Sequence, residues 1–165
     1  MSMRGGQVLT SAALVAQCKR VTIGNGHAAS VVMSNPELGI ALLSPEKPLT
    51  PVAYARFGSA PPARGSEVVP AGYSYAGQLD GPTVTYGKLA ALTGLACEDT
   101  LRRLSLDALS GDAGGPVLDG SGAVIGILKP HQDSTGKELP RNVSFAVAST
   151  AISSALAQHG VTVSN

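Results

Sequence analysis

Residues 110–127 read Ser-Gly-Asp-Ala-Gly-Gly-Pro-Val-Leu-Asp-Gly-Ser-Gly-Ala-Val-Ile-Gly-Ile, and the fold turns on this stretch. Ser110 to Gly115 form a glycine-rich turn. The rest is an apolar run, an Asp119-Gly120 turn and a second apolar run, the pattern of two strands joined by a tight hairpin. The same rhythm recurs outward along the chain. Short apolar runs bounded by glycine, proline and polar clusters predict strands at 7–14, 19–24, 28–34, 38–44, 52–57, 66–73, 82–92, 100–106, 115–119, 123–128 and 143–148. Many short strands joined by turns make an all-β barrel or sandwich. A break rich in glycine and proline, Gly58-Ser59-Ala60-Pro61-Pro62-Ala63-Arg64-Gly65, divides them. After Ser149-Thr150, residue types that cap helices, Ala151 to Gln158 has helical spacing and Gly160 supplies the stop. That helix is expected to pack Ile152, Ala155 and Leu156 on a barrel.

The turn and its hairpin resemble the nucleophile loop of trypsin-like serine proteases, with Ala113 where that family carries its serine. The end of the chain, Arg141-Asn142-Val143-Ser144-Phe145-Ala146-Val147 followed by a short helix, resembles the bacterial HtrA-like branch of the family. Two earlier segments extend the likeness. Val8-Leu9-Thr10-Ser11-Ala12-Ala13-Leu14-Val15 matches the segment that carries the catalytic histidine, and puts Ala13 at that position. Asn35-Pro36-Glu37-Leu38-Gly39-Ile40-Ala41-Leu42-Leu43 matches the segment that carries the aspartate, and puts Gly39 there. The resemblance implies one trypsin-like domain over residues 1–165, built as two packed, six-stranded-type β-barrels. They comprise an N-terminal lobe at 1–60, either trimmed at its start or cut from a longer chain, and a C-terminal lobe at 66–149, followed by a helix at 150–160.

The chemistry implied is a loss. Alanine at 113 has no lone pair with which to attack a carbonyl, Ala13 supplies no base, and Gly39 supplies nothing to orient one. Removing a whole triad lowers turnover by about 10⁶-fold. An inactivating laboratory change would stop at one residue, so the three replacements are read as native. What the loop retains is backbone: by resemblance, the N–H groups of Gly111 and Ala113 form the oxyanion hole, and a tight turn kept only for folding is the alternative. Asp112, between a glycine turn and an apolar hairpin, needs a partner if buried, and a nearby arginine or water is expected. Lys129 and His131 fall at the cleft edge. Leu128 to His131 align with the strand on which a substrate would add, and Pro130, lacking an N–H, weakens such pairing.

Other candidates for chemistry are few. His27 beside Asn25-Gly26 reads as a turn residue, and His159 before Gly160 as a group facing the negative helix end. Ser110 precedes the apex of the turn, which is poor placement for a substitute nucleophile. The 165 residues suffice for one domain; 44% are hydrophobic and 14% charged, with 20 glycines and 11 prolines, a composition of strands and turns. A net charge of +1 gives no reason to expect a nucleic-acid or anionic-membrane partner. Neither metal-ligand spacing nor a phosphate-binding glycine loop is present, so no metal or cofactor is expected. No secretory apolar segment or membrane-spanning run occurs, and the resemblance places the domain in the periplasm or outside the cell, within a longer precursor. Cys18 and Cys97, if bonded, would close about 80 residues, worth up to roughly 4.5 kcal/mol in the chain-entropy model. Two free thiols are the alternative. Together these readings describe an inactive protease homologue, not an enzyme, that binds a protein or peptide. An unconventional hydrolase using His131 and a purely structural domain are the competing readings.

Overall fold

The computed structural model describes residues 6–24, 26–60, 62–132 and 136–161. The start of the chain through Gly5, Asn25 of the predicted turn and Pro61 of the predicted break lie outside these. The first lobe is an antiparallel sheet of β1 (Val8–Ser11), β2 (Val21–Ile23), β3 (His27–Asn35) and β4 (Ile40–Pro45), in the order β1-β4-β3-β2. It is a half-barrel.

The second lobe holds β5 (Glu67–Gly72), a one-turn helix α1 (Ser74–Gly77), β6 (Thr83–Val84), β7 (Gly87–Ala91), β8 (Leu101–Ser105), β9 (Pro116–Asp119), β10 (Val124–Leu128) and β11 (Ser144–Ala148). Six of these strands run β5-β7-β8-β11-β10-β9, and pairing of β5 with β9 through Val68↔Asp119, Val69↔Leu118 and Pro70↔Val117 closes the barrel. Closure leaves no long free edge. The helix α2 (Ser149–Gln158) ends the described chain.

Alternation explains the interior. Val68, Leu89, Leu104, Val117, Ile125, Leu128 and Ala146 point into the closed barrel, where all are buried. A second core lies between the lobes: Leu9, Met33, Ile40 and Leu42 of the half-barrel meet Val124, Ile127 and Val147. Ile152, Ala155 and Leu156 of α2 join this second core, as their spacing predicts. The helix stops at Gly160, whose φ is +73°, and the His159 ring bonds the Ala155 carbonyl at 3.0 Å through Nδ1.

Several elements depart from the sequence reading. No strand forms at 52–57; only Phe57 bridges Val124, flanked by the bonds Val124 N–H to Arg56 O and Gly58 N–H to Val124 O. Pro48 and Pro51 cannot donate to a ladder and Val52 is fully exposed, so this segment is a connector lying across the barrel. The predicted strand at 7–14 ends at Ser11 and becomes a 3₁₀ turn over Ala12–Leu14. The run at 82–92 divides into β6 and β7, both on one edge of β5. Helix α2 has Ala148 as its N-cap with no side-chain cap, because Ser149 is buried within the first turn and does not cap it.

Candidate functional site

The site is built where the glycine-rich loop of the second lobe meets the first lobe. Gly114 donates to Leu128 O at 2.8 Å and Leu128 donates to Gly115 O at 2.9 Å, which anchors the loop to the end of β10. A Cβ on Gly114 would stand 2.7 Å from both Ser11 N and Thr10 Oγ1, so glycine is needed for the loop to touch β1. Ala12 in turn donates to Gly39 O at 3.0 Å. The backbone thus gathers the Ser11–Ala13 segment, Gly39 and the 113–115 loop at one junction. Ala13 is exposed there, and Gly39 and Ala113 are half-buried.

Gly39 carries φ of +84°, a conformation that side chains with a Cβ rarely adopt. Its missing side chain faces Lys129: a Cβ there would lie 3.8 Å from Nζ and 3.9 Å from Cε. A cation therefore stands beside Gly39. The Lys129 N–H is already committed to Phe145 O at 2.8 Å, and Pro130 has none, so this edge has little to offer an extended peptide.

Asp112 is 3% exposed, and its partner is not an arginine but a hydroxyl: it accepts from Ser74 Oγ at 2.6 Å. Ser74 also pairs with Thr83 Oγ1, which donates to Gly72 O at 3.3 Å. A Cβ on Gly72 would lie 2.7 Å from Asp112 Oδ1. A further bond runs from Tyr75 N to Ser110 O, at a residue with φ of +54°. Sequence reasoning missed these partners. The only signal for them was an aspartate in an apolar setting, which says that a partner exists and not where it lies.

His131 is not an exposed loop residue. Its Nε2 lies 3.1 Å from Leu139 O, and its Nδ1 is buried without a partner among the described residues. Beside it, Lys129 and Gln132 line a cavity of about 330 Å³ walled by Leu95, Leu101, Leu139 and Phe145. Lys129 therefore borders both Gly39 and this cavity, while the His131 ring is tied to the ribbon that closes through Gln132 and Glu138. Cys18 and Cys97 are not bridged; both are free and exposed, with Cys18 Sγ donating to Leu14 O at 3.3 Å on one lobe and Cys97 in the β7–β8 loop of the other. Among the described residues no group of acidic, histidine or cysteine side chains could hold a metal ion. No described helix is long and apolar enough to cross a membrane.

A half-barrel and a closed six-stranded barrel, joined at a glycine-rich loop, make this a fold of the serine-protease class. The chain belongs to the family of the trypsin-like peptidase domain, which it matches over residues 2–127. It is 29% identical over 140 residues to the uncharacterized protein y4bJ of Sinorhizobium fredii, covering 81% of this chain and 22% of that one. It is 30% identical over 139 residues to the serine protease Rv3671c of Mycobacterium tuberculosis, covering 74% of this chain and 33% of that one. The chain thus spans a third or less of the length of these relatives. Among solved structures, an inactive form of Rv3671c with serine replaced by alanine superposes with a TM-score of 0.76 at 25% identity, covering 97% of this chain and 80% of that one. The HtrA-type protease AlgW superposes with a TM-score of 0.73 at 22% identity, covering 98% of this chain and 51% of that one, a likeness of fold alone.

Proposed function

We propose that this domain is a catalytically inactive trypsin-like protease homologue that serves as a binding or scaffold module. In this reading it is part of a larger bacterial envelope protein, in the periplasm or outside the cell, and its partner is a protein or peptide. The observation that carries the reading is the set Ala13, Gly39 and Ala113 at the positions that the family resemblance assigns to base, orienter and nucleophile. None can accept a proton or attack a carbonyl. His131, the strongest candidate for replacement chemistry, has its Nε2 engaged by Leu139 O.

The test is hydrolysis of fluorescein-labelled casein by the purified domain, run beside a mock purification from the same host. The expected rate equals the mock. Hydrolysis that tracks the polypeptide through successive columns and disappears in an Ala113→Arg variant checked to be folded would overturn the inactivity. The binding role is tested on the same two proteins immobilised: partners retained by the native domain and lost by Ala113→Arg support a working cleft, and identical partner sets refute it.

A further inference from the structure

The outer face of the closed barrel carries an apolar patch over β5 and β6. Five of the eleven large hydrophobic side chains exposed among the described residues fall between Tyr73 and Tyr86. Along β5, Val68, Pro70 and Gly72 are buried, so alternation turns Val69 and Ala71 outward, with Tyr73 following at 62% exposure. On β6, Val84 lies opposite Ala71, and Tyr86, two residues on and 76% exposed, shares its face. Tyr75 and Leu79 add exposed surface in the segment that joins the two strands. No residue from 68 to 79 or from 81 to 87 carries a charge. The far side of β5 is closed, because Leu118 of β9, opposite Val69, packs against the core between the lobes.

At roughly 200 Å² per aromatic side chain, and less for Val84 and Leu79, the exposed parts of these five residues present about 500 Å², near the upper end of what a monomer leaves in water. Two such faces laid together bury about 1,000 Å², the size at which a specific interface begins. The charges at the ends of the patch fit a copy of the same face. Asp80 and Lys88 flank it, each four residues from Val84. A second copy laid over the first with its strands reversed brings Asp80 of each copy to Lys88 of the other, whereas strands in the same direction would set lysine against lysine and aspartate against aspartate. The edge of β6 is a poorer site than its face, since this strand is two residues long and follows Pro82, which has no N–H to offer.

We propose that this face binds the same face of a second copy of the chain, forming a two-fold dimer in which the facing strands run antiparallel. Tyr73, Val84 and Tyr86 form its apolar centre. The axis passes near Val84, so Val69 meets Tyr73 of the second copy, and the two Asp80–Lys88 pairs at the ends set the direction. The contact lies outside the junction of Ser11, Gly39 and the 113–115 loop and stands whether or not the domain hydrolyses peptides.

Sedimentation equilibrium of the purified domain tests it. The weight-average mass should rise from that of one chain to that of two, with a dissociation constant on the order of 10 µM, as suits a contact at the small end of specific interfaces. Tyr86→Lys and Val84→Lys, both at exposed positions, should each abolish the rise while their urea midpoints stay within error of the native protein. Asp80→Lys and Lys88→Glu should each weaken the dimer about tenfold, because two symmetry-related attractions become repulsions. An equimolar mixture of those two variants should regain the native affinity, because every lysine then faces an acid again. A single-chain mass at all concentrations would overturn the proposal, as would a dimer that survives in both Tyr86→Lys and Val84→Lys. A mixture that associates no more tightly than its components would overturn the antiparallel arrangement on which it rests. If the native domain stays monomeric and retains a different protein that Tyr86→Lys loses, the face has another occupant and the dimer is refuted. Casein hydrolysis and the Ala113→Arg comparison are read separately, so failure here leaves the binding-domain reading standing.

Discussion

At the scale of single residues, the loop is set by what its neighbours lack. Asp112 can lie buried only because Gly72 has no Cβ, and its carboxylate is held by one serine hydroxyl from α1. Ser74→Ala should therefore destabilise the domain by about 1–3 kcal/mol, the cost of leaving a buried polar group without its partner. Gly72→Ala should cost a similar amount, about 1–3 kcal/mol, by forcing a methyl group against Asp112. Urea denaturation of both variants measures this, and midpoints within error of the native protein would show that the network carries no stability. The residues of this network were not legible from sequence. Asp112 stood out because a carboxylate between apolar strands must be paired, but Ser74 and Thr83 lie 38 and 29 positions upstream and meet it only through the closure of the barrel. By contrast, the family likeness aligned Ala13, Gly39 and Ala113 with three positions of one site, and the bond from Ala12 N–H to Gly39 O and the close approach of Gly114 to Ser11 bring their segments to one junction.

At the scale of elements, the hairpin of β9 and β10 was the most legible part of the chain, because its turn encodes its own hydrogen bonds. Asp119 Oδ1 accepts from Ser121 N at 2.8 Å, Ser121 Oγ at 2.6 Å and Ala123 N at 3.0 Å. Burial alone would raise the Asp119 pKa, but these three donors favour the ionised form more strongly and hold it below the ordinary aspartate value. A carboxyl group depressed in the folded state adds stability above its unfolded pKa, and that stability is lost as pH falls through the folded pKa. Asp119→Asn should thus be less stable than the native domain at neutral pH, by up to about 1 kcal/mol given solvent screening, and the difference should shrink in acid. Denaturation midpoints across an acid series decide it; a constant difference would mean that ionisation of Asp119 does not stabilise the turn. The connector at 52–57 misled for the opposite reason. Val52, Tyr54 and Phe57 give it an apolar rhythm, yet Pro48 and Pro51 deny it a ladder, and of these three only Phe57 enters a core, with Ala55 packed against it.

At the scale of the whole molecule, the two lobes share one core, and at their junction the structure sets Lys129 beside Gly39. The lobes are not stapled: Cys18 and Cys97 should both react in thiol titration of the unreduced, denatured protein, and reductant should leave the thermal midpoint unchanged. Fewer than two reactive thiols would contradict the free state. Restoring the residues that the family resemblance suggests, in an Ala13→His, Gly39→Asp, Ala113→Ser variant, should not restore hydrolysis. The reason is distributed beyond the three positions. Gly39 holds φ of +84°, so an aspartate there is strained, and Lys129 Nζ stands 3.8 Å from where its Cβ would be, placed to pair with the new carboxylate before a histidine can. Adding Lys129→Met to the triple variant removes that competition but not the backbone strain, and is expected to remain inactive on casein while folding cooperatively. Activity in the triple variant alone would show that only the three side chains separate this domain from a working protease. Activity appearing only with Lys129→Met would assign the barrier to the lysine, and would rule out the Gly39 backbone as a sufficient block.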